Sequence, residues 1–214
     1  MASSIPPSSA KPPKPHSNKP LIAIALVSIA PIVWALLAYY VPSLGLRPGK
    51  MSNYGALVEP QRPLPASGAL PLTTLDGQPF DLRSLLGKWI LISADQAACP
   101  ESCVKKLFTL RNSQASLGKD IPRLERVWFV TDQAPVNKQV LEAYKGMHIV
   151  RVDPKELAAY LAPGAAETDL GAALNAPMWI VDPLGNLMMQ FPADADSIEV
   201  RDDIRKLLRN SQIG

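Results

Sequence analysis

Between Leu21 and Val41 the chain runs for 21 residues without a charge. A helix rises 1.5 Å per residue, so about 20 apolar residues cross the hydrocarbon core of a bilayer. Pro31 does not exclude this, because helices in lipid tolerate proline. Tyr39 and Tyr40 close the run, as aromatic residues do at a membrane interface. A signal peptide would have an apolar core of about 7–15 residues ending in a small-x-small cleavage site. Here the run is longer and ends Tyr-Tyr-Val-Pro. The sequence therefore predicts one retained anchor over 21–41, with everything after it folding on one side of the membrane. Lys11, Lys14 and Lys19 precede the run, while Arg47 and Lys50 follow it. By the positive-inside rule the N-terminus is cytoplasmic and the remainder is exported. His16 lies on the same inner side.

The net charge of +3 misrepresents the exported part. All 19 acidic residues lie beyond position 50, against 17 of the 22 lysines and arginines. The distal part is thus slightly acidic, and the basic excess belongs to the tail and the anchor's flanks. Nucleic-acid binding needs a dense basic patch, and no such run is present.

Residues 1–20 are rich in proline, serine and lysine and read as a disordered cytoplasmic tail. From Pro42 to Pro71 six prolines and four glycines occur without periodicity, which predicts a tether over 42–70 and a folded domain over 71–210. On this reading the domain folds without the first 60 or so residues. Asp76-Gly77 between short extended pieces signals a hairpin. Ser84 to Lys88 suggests a helical turn, and Trp89-Ile-Leu-Ile-Ser93 a buried strand. Pro100 and Glu101 open a helix continued by Val104, Leu107, Phe108 and Arg111. Arg126 to Asp132 is a strand followed by a helix near Val136 to Tyr144. His148 to Asp153 is the next strand, followed by a short helix from Pro154. Met178 to Phe191 reads as a hairpin turning at Asp182 to Asn186, and Ile198 to Leu208 as a closing amphipathic helix. Strands alternating with helices make an α/β sandwich. Trp89, Trp128, Phe129 and Trp179 fall on its core positions.

The chain has two cysteines, in Cys99-Pro-Glu-Ser-Cys103, directly after the first buried strand. A thiol at a helix start is acidified by the free N–H groups and the dipole. With Cys99 as cap and Pro100 as first helical residue, Cys103 lies one turn on, on the same face. Cys99 should then be the more exposed and more acidic thiol, with Cys103 shielded by Leu107. Such a pair offers two soft sulfurs to Cu(I). It also closes as a disulfide, since an i,i+4 Cα separation of roughly 6 Å lies inside the allowed window. Both chemistries stay open, as does a pair of inert core cysteines. His148 is the single histidine of the exported part, and Met178, Met188 and Met189 are soft donors on apolar strand positions. Asp95 and Glu101 flank the thiols and read as solvated charges near a helix start.

Three segments resemble the SCO/SenC group of the thioredoxin-like superfamily, membrane-anchored copper-binding assembly factors of cytochrome c oxidase. They are Asp76-Gly-Gln-Pro-Phe-Asp-Leu with Leu85-Leu-Gly-Lys-Trp-Ile-Leu, then Cys99-Pro-Glu-Ser-Cys103, then Trp179-Ile-Val-Asp-Pro-Leu-Gly. The resemblance spans about residues 70–210 beyond a single anchor. It implies a thioredoxin-like sandwich behind one transmembrane helix, with Cys99 and Cys103 as copper ligands or exchanging thiols. It further implies the bacterial inner membrane, a periplasmic domain, and a partner that is an oxidase subunit or its copper metallochaperone. The group's third ligand is a histidine about nine residues before the late hairpin proline. Counting back from Pro183 gives Leu174, beside Asn175, and no histidine occurs from 149 onward. Val104 stands where the group usually has a second proline. Pro177, just before the late strand, resembles the substrate-gripping cis-proline of thioredoxin-like oxidoreductases; a trans proline opening a strand is the alternative. A missing histidine and a present proline favour thiol–disulfide exchange, with Cys99, Cys103 and Pro177 as its residues, over Cu(I) carriage.

Overall fold

The computed structural model describes residues 18–41 and 53–213, which belong to two separate compact units. The expected tail lies outside the described residues up to position 17, as do positions 42–52 of the expected tether. The first unit contributes one helix, α1, Lys19–Tyr40, with Pro31 inside it. It has 22 residues, its most apolar 18-residue stretch has a mean hydropathy of 2.6 and none of its residues is buried, so the helix is long and apolar enough to cross a membrane.

The second unit is built on one eight-stranded sheet. Its strands are β1 (Ala56–Pro63), β2 (Leu72–Thr74), β3 (Pro79–Phe80), β4 (Trp89–Asp95), β5 (Leu124–Val130), β6 (His148–Arg151), β7 (Met178–Val181) and β8 (Asn186–Phe191). Their order across the sheet is β1-β8-β7-β4-β5-β6-β2-β3. The β4, β5 and β6 strands are parallel; all other pairings are antiparallel. The helices are α2 (Glu101–Ala115), α3 (Lys138–Ala143), α4 (Pro154–Leu161), α5 (Leu170–Asn175) and α6 (Ser197–Asn210).

Strand alternation divides the interior into two apolar layers. Trp89 and Leu91 of β4, Leu124 and Trp128 of β5, and Ile180 of β7 share one layer with Leu107 and Leu110 of α2 and Ile204 of α6. Ile90, Ile92, Val127, Phe129 and Trp179 face the other layer, under Leu157 and Leu161 of α4 and Leu174 of α5. Every residue of β4 is buried, as a central strand covered on both faces requires. Trp89, Trp128, Phe129 and Trp179 are at most 4 % exposed, as their strand positions predict.

The domain begins earlier than the sequence suggests. Residues expected to form a tether include β1, which pairs antiparallel with β8 from Ala56↔Gln190 to Pro63↔Asn186. Ahead of it, the Asp203 carboxylate accepts the N–H groups of Tyr54 (2.6 Å) and Gly55 (2.9 Å). The Tyr54 hydroxyl accepts the N–H of Asp196 at 3.1 Å. Arg62 donates to the carbonyls of Tyr160 and Leu161 at the end of α4. Five of the eight β1 residues are prolines, charged or polar, and the strand shows no burial alternation. Its register is interrupted between Leu57 and Arg62, where Pro60 sits, the kind of place an edge strand accepts proline.

Candidate functional site

The central strand β4 empties into a loop whose geometry is set by its own main chain. Cys99 N–H donates to Gln96 O at 3.0 Å, and Ala97 N–H donates to the Asp132 carboxylate at 3.2 Å. Cys99 adopts a left-handed backbone, φ +41°, the single non-glycine residue with positive φ among those described. That conformation costs of order 1–3 kcal/mol in a residue with a Cβ. Pro100 is the N-cap of α2, extended and offering no side-chain hydrogen bond, while Glu101 occupies the first turn. The helix therefore starts one residue later than expected. Cys99 lies outside it rather than capping it, because the N-cap takes an extended backbone, as Pro100 does, and Cys99 is left-handed.

Cys99 and Cys103 form a disulfide with a Cα separation of 5.0 Å. Both are buried, Cys99 at 6 % exposure and Cys103 at 0 %. Cys99 is the outer of the two, but the openly exposed thiol expected at the helix start is not found, because the loop turns its side chain into the α2 layer. Gln96, Ala98, Pro100, Glu101 and Ser102 form the exposed surface around the bond.

Beneath the thiols lies a buried charge pair. Asp95, expected to be solvated, has a side chain only 3 % exposed, and that of Lys106 is 5 % exposed; Lys106 Nζ lies 3.0 Å from Asp95 Oδ2. The same ammonium donates to Ala94 O at 3.0 Å and to the carbonyl of Asn175. The other Asp95 oxygen accepts Gln96 N–H at 2.9 Å. Burial lowers the Lys106 pKa, and the Asp95 carboxylate opposes that shift. Lys106 stands three residues after Cys103 on the stripe Cys103, Lys106, Leu107, Leu110 that α2 buries. A lysine on an otherwise apolar stripe, following a strand that ends in aspartate, is a signal of a buried pair the sequence does contain.

Asn175 ends α5, and two residues later Pro177 leads into β7. Because β7 runs antiparallel to β4, with Met178 opposite Ser93, the start of β7 and the end of β4 share one edge of the sheet. Pro177 is thereby brought to the end of the sheet that carries the disulfide, and it is buried. Its peptide bond is trans, cis geometry among the described residues occurring at Glu59-Pro60, so the cis alternative does not hold. A cavity of about 360 Å³ lies along this edge, lined by Ser102, Lys106, Asn175 and Ala176 among others.

The remaining candidates are not gathered here. His148 opens β6 and pairs with Val127, midway along β5, whereas Asp95 pairs with Val130 at its end. Its Nε2 is 3.2 Å from Glu125 Oε2 and its ring lies against Phe80. Glu101 is solvent-exposed, and Met178 and Met189 are core residues at 2 % exposure. The Asn175 amide oxygen is buried without a hydrogen bond. Among the described residues no three histidine, cysteine, aspartate or glutamate side chains are grouped to hold a metal. The donor set around Cys99 and Cys103 thus does not fit a Cys-Cys-His copper site.

Solved structures with the same fold are distantly related in sequence. The copper-bound ScoI of Arabidopsis thaliana superposes with a TM-score of 0.51 at 15 % identity, covering 74 % of this chain and 99 % of that one. Copper-bound yeast Sco1 gives 0.50 at 19 % identity, covering 76 % and 96 %. A thiol:disulfide interchange protein from Bacteroides sp. gives 0.51 at 16 % identity, covering 71 % and 91 %. These likenesses establish a thioredoxin-like, SCO/SenC-type fold. No curated protein matches the sequence. The family described as "Transmembrane-like, thioredoxin-like, C-terminal domain" matches residues 89–211, from the first residue of β4 to just past α6, and the chain belongs to that family.

Proposed function

We propose that this protein is a membrane-anchored thiol–disulfide exchange factor whose exported domain serves the assembly of a haem–copper oxidase. The observation that carries the reading is the bond between its two cysteines at the N-terminus of α2, beside a buried Lys106–Asp95 pair and the Pro177 edge. The oxidase context rests on the likeness to the Sco proteins. Thiol exchange rather than copper carriage is favoured by the lack of a third donor at the pair among the described residues. The positive-inside rule, applied to Lys11, Lys14 and Lys19, supports a cytoplasmic N-terminus and, on this reading, a periplasmic domain on a bacterial inner membrane.

In the reduced chain the Cys99 thiolate attacks one sulfur of a partner disulfide, which forms a mixed disulfide and releases the partner's other sulfur as a thiolate. The Cys103 thiolate then attacks Cys99 Sγ, closes the Cys99–Cys103 bond and releases the second partner thiolate. Two electrons pass to the partner, an oxidase subunit or its copper metallochaperone. The chain is left oxidised, the state the structure holds, and an exported dithiol reductant restores it. Partner thiols reduced in this way are competent to take copper.

Trapping tests the order of events. Cys103→Ser should accumulate mixed disulfides with a partner of the respiratory membrane, because the resolving thiol is gone, and Cys99→Ser should accumulate few. Anaerobic Cu(I) titration of the reduced chain separates the cargo reading. Stoichiometric tight binding abolished in Cys99→Ser would replace exchange by copper carriage.

A further inference from the structure

At the far end of α2 from the disulfide, a cavity of about 460 Å³ is lined by Lys119, Arg123, Arg205 and Arg209 together with Asp120 and Ser116. Helix α2 has 15 residues, so this end lies about 22 Å from its first turn. Lys119 and Arg123 come from the 3-10 turn Gly118–Arg123, while Arg205 and Arg209 stand one turn apart on α6. Four cations thus converge on one concavity of a domain that is otherwise slightly acidic.

Two of the four have structural work. Arg123 donates to the carbonyls of Leu208, Ser211 and Ile213, each at 3.0 Å, and pairs with Asp120 at 3.3 Å. Arg205 donates to Ser116 O at 3.0 Å and lies 3.8 Å from Asp202, which Arg201 approaches at 3.0 Å. These contacts fasten the C-terminal ends of α2 and α6, where cations are favoured by the helix dipoles. Lys119 and Arg209 make no hydrogen bond or ion pair among the described residues. Among the described residues the one carboxylate on the wall, Asp120, is engaged by Arg123. Like charges gathered in this way repel unless an anion joins them.

We propose that this cavity binds a phosphate-type oxyanion, with the Arg209 guanidinium and the Lys119 ammonium as its principal donors and Arg123 and Arg205 as the fixed positive wall. A guanidinium presents a planar fork that matches phosphate oxygens, and a lysine adds a mobile point charge. The volume admits a phosphate group together with its substituent. The site is independent of the thiol chemistry, which it does not touch. Free phosphate and the headgroup of an anionic lipid offer the same chemistry.

The test uses the full chain in non-ionic detergent. Equilibrium dialysis measures labelled orthophosphate and pyrophosphate, and a second arm titrates dihexanoyl phosphatidylglycerol against dihexanoyl phosphatidylcholine. Saturable phosphate or pyrophosphate binding, weakened about tenfold or more in Lys119→Ala/Arg209→Ala, is the expected result. Binding of phosphatidylglycerol alone with the same loss supports the site and assigns it to a headgroup. The control Lys138→Ala/Lys145→Ala removes equal charge from an exposed surface elsewhere and should bind as the parent does. Because Lys119 and Arg209 hold no structural contact, the double variant should melt as the parent does. Absence of saturable binding to every probe, or equal loss in the control, overturns the proposal.

Discussion

Lys106 ties three segments together through one ammonium, reaching Asp95 and Ala94 of β4 and Asn175 of α5 from its place on α2. Removing one member of a buried pair strands the other charge, at a cost of about 3–5 kcal/mol. Lys106→Met should therefore lower the urea midpoint sharply, and Lys106→Met/Asp95→Leu should recover much of the loss; equal midpoints for parent and single variant would remove the pair from the account. A second titratable cluster sits at the opposite strand ends. Burial pushes the Glu125 carboxyl up, but the Lys88 ammonium at 2.5 Å and His148 outweigh it and hold it below the usual carboxylate range. A carboxylate with a depressed folded pKa contributes stability that is present above its unfolded value and lost as pH falls through the folded one. Denaturation midpoints of the parent should accordingly drop more steeply than those of Glu125→Gln as pH falls below about 4.5. Parallel profiles would contradict the assignment. For the thiols, the exposures of 6 % and 0 % set the order of reaction. A thiol-alkylating probe applied to the reduced chain should modify Cys99 before Cys103, read by mass spectrometry of peptides. Equal, slow modification of both would favour an inert pair.

At the scale of elements, β1 alters where the domain can be cut. A fragment beginning at Ala69 lacks β1 and the Tyr54–Gly55 clasp on Asp203, and it leaves the edge of β8 unpaired. An open edge strand beside apolar Leu187, Met189 and Phe191 invites pairing between chains. A fragment starting at Ser52 should unfold cooperatively as a monomer, whereas one starting at Ala69 should be less stable and prone to associate; light scattering and urea unfolding decide it. Gly55 is part of the clasp, since a Cβ there would lie 2.5 Å from Met189 Sδ and 2.9 Å from Phe191 Cε1. Gly55→Ala should cost about 1–3 kcal/mol through overpacking. The strand eluded sequence reading because it is held from outside itself, by main-chain bonds to β8 and by Arg62 on α4 carbonyls, and its prolines mimic a linker. The Asp76-Gly77 hairpin, the Met178 to Phe191 hairpin and the four long elements β4, β5, α2 and α6 were readable because period and turn chemistry agree there. The six residues of α5, Leu-Gly-Ala-Ala-Leu-Asn, are too few to show a period.

For the whole molecule, the sheet order and parallel core bring the cysteine loop and Pro177, both singled out in the sequence, to one end of the sheet. What the motif did not reveal was burial of both sulfurs, the late helix start after a left-handed Cys99, and the charge pair beneath; each depends on contacts between segments distant in sequence. Among the described residues α1 alone is long and apolar enough to cross a membrane, and the positive-inside rule predicts that the lysines ahead of it stay on the cytoplasmic side. Reporter fusions following Gly214 should be active with an exported-side reporter alone, and the mature mass should retain residues 21–41. The proposed exchange requires a disulfide that opens and closes in service, so its reduction potential is the deciding quantity. Cycling against other exported dithiols requires a potential of about −200 mV or higher, while bonds kept for structure lie below about −300 mV. Redox titration of the full chain in thiol–disulfide buffers, read by alkylation of Cys99 and Cys103, should give the former value. A potential below about −300 mV would make the bond a fixed brace and contradict exchange.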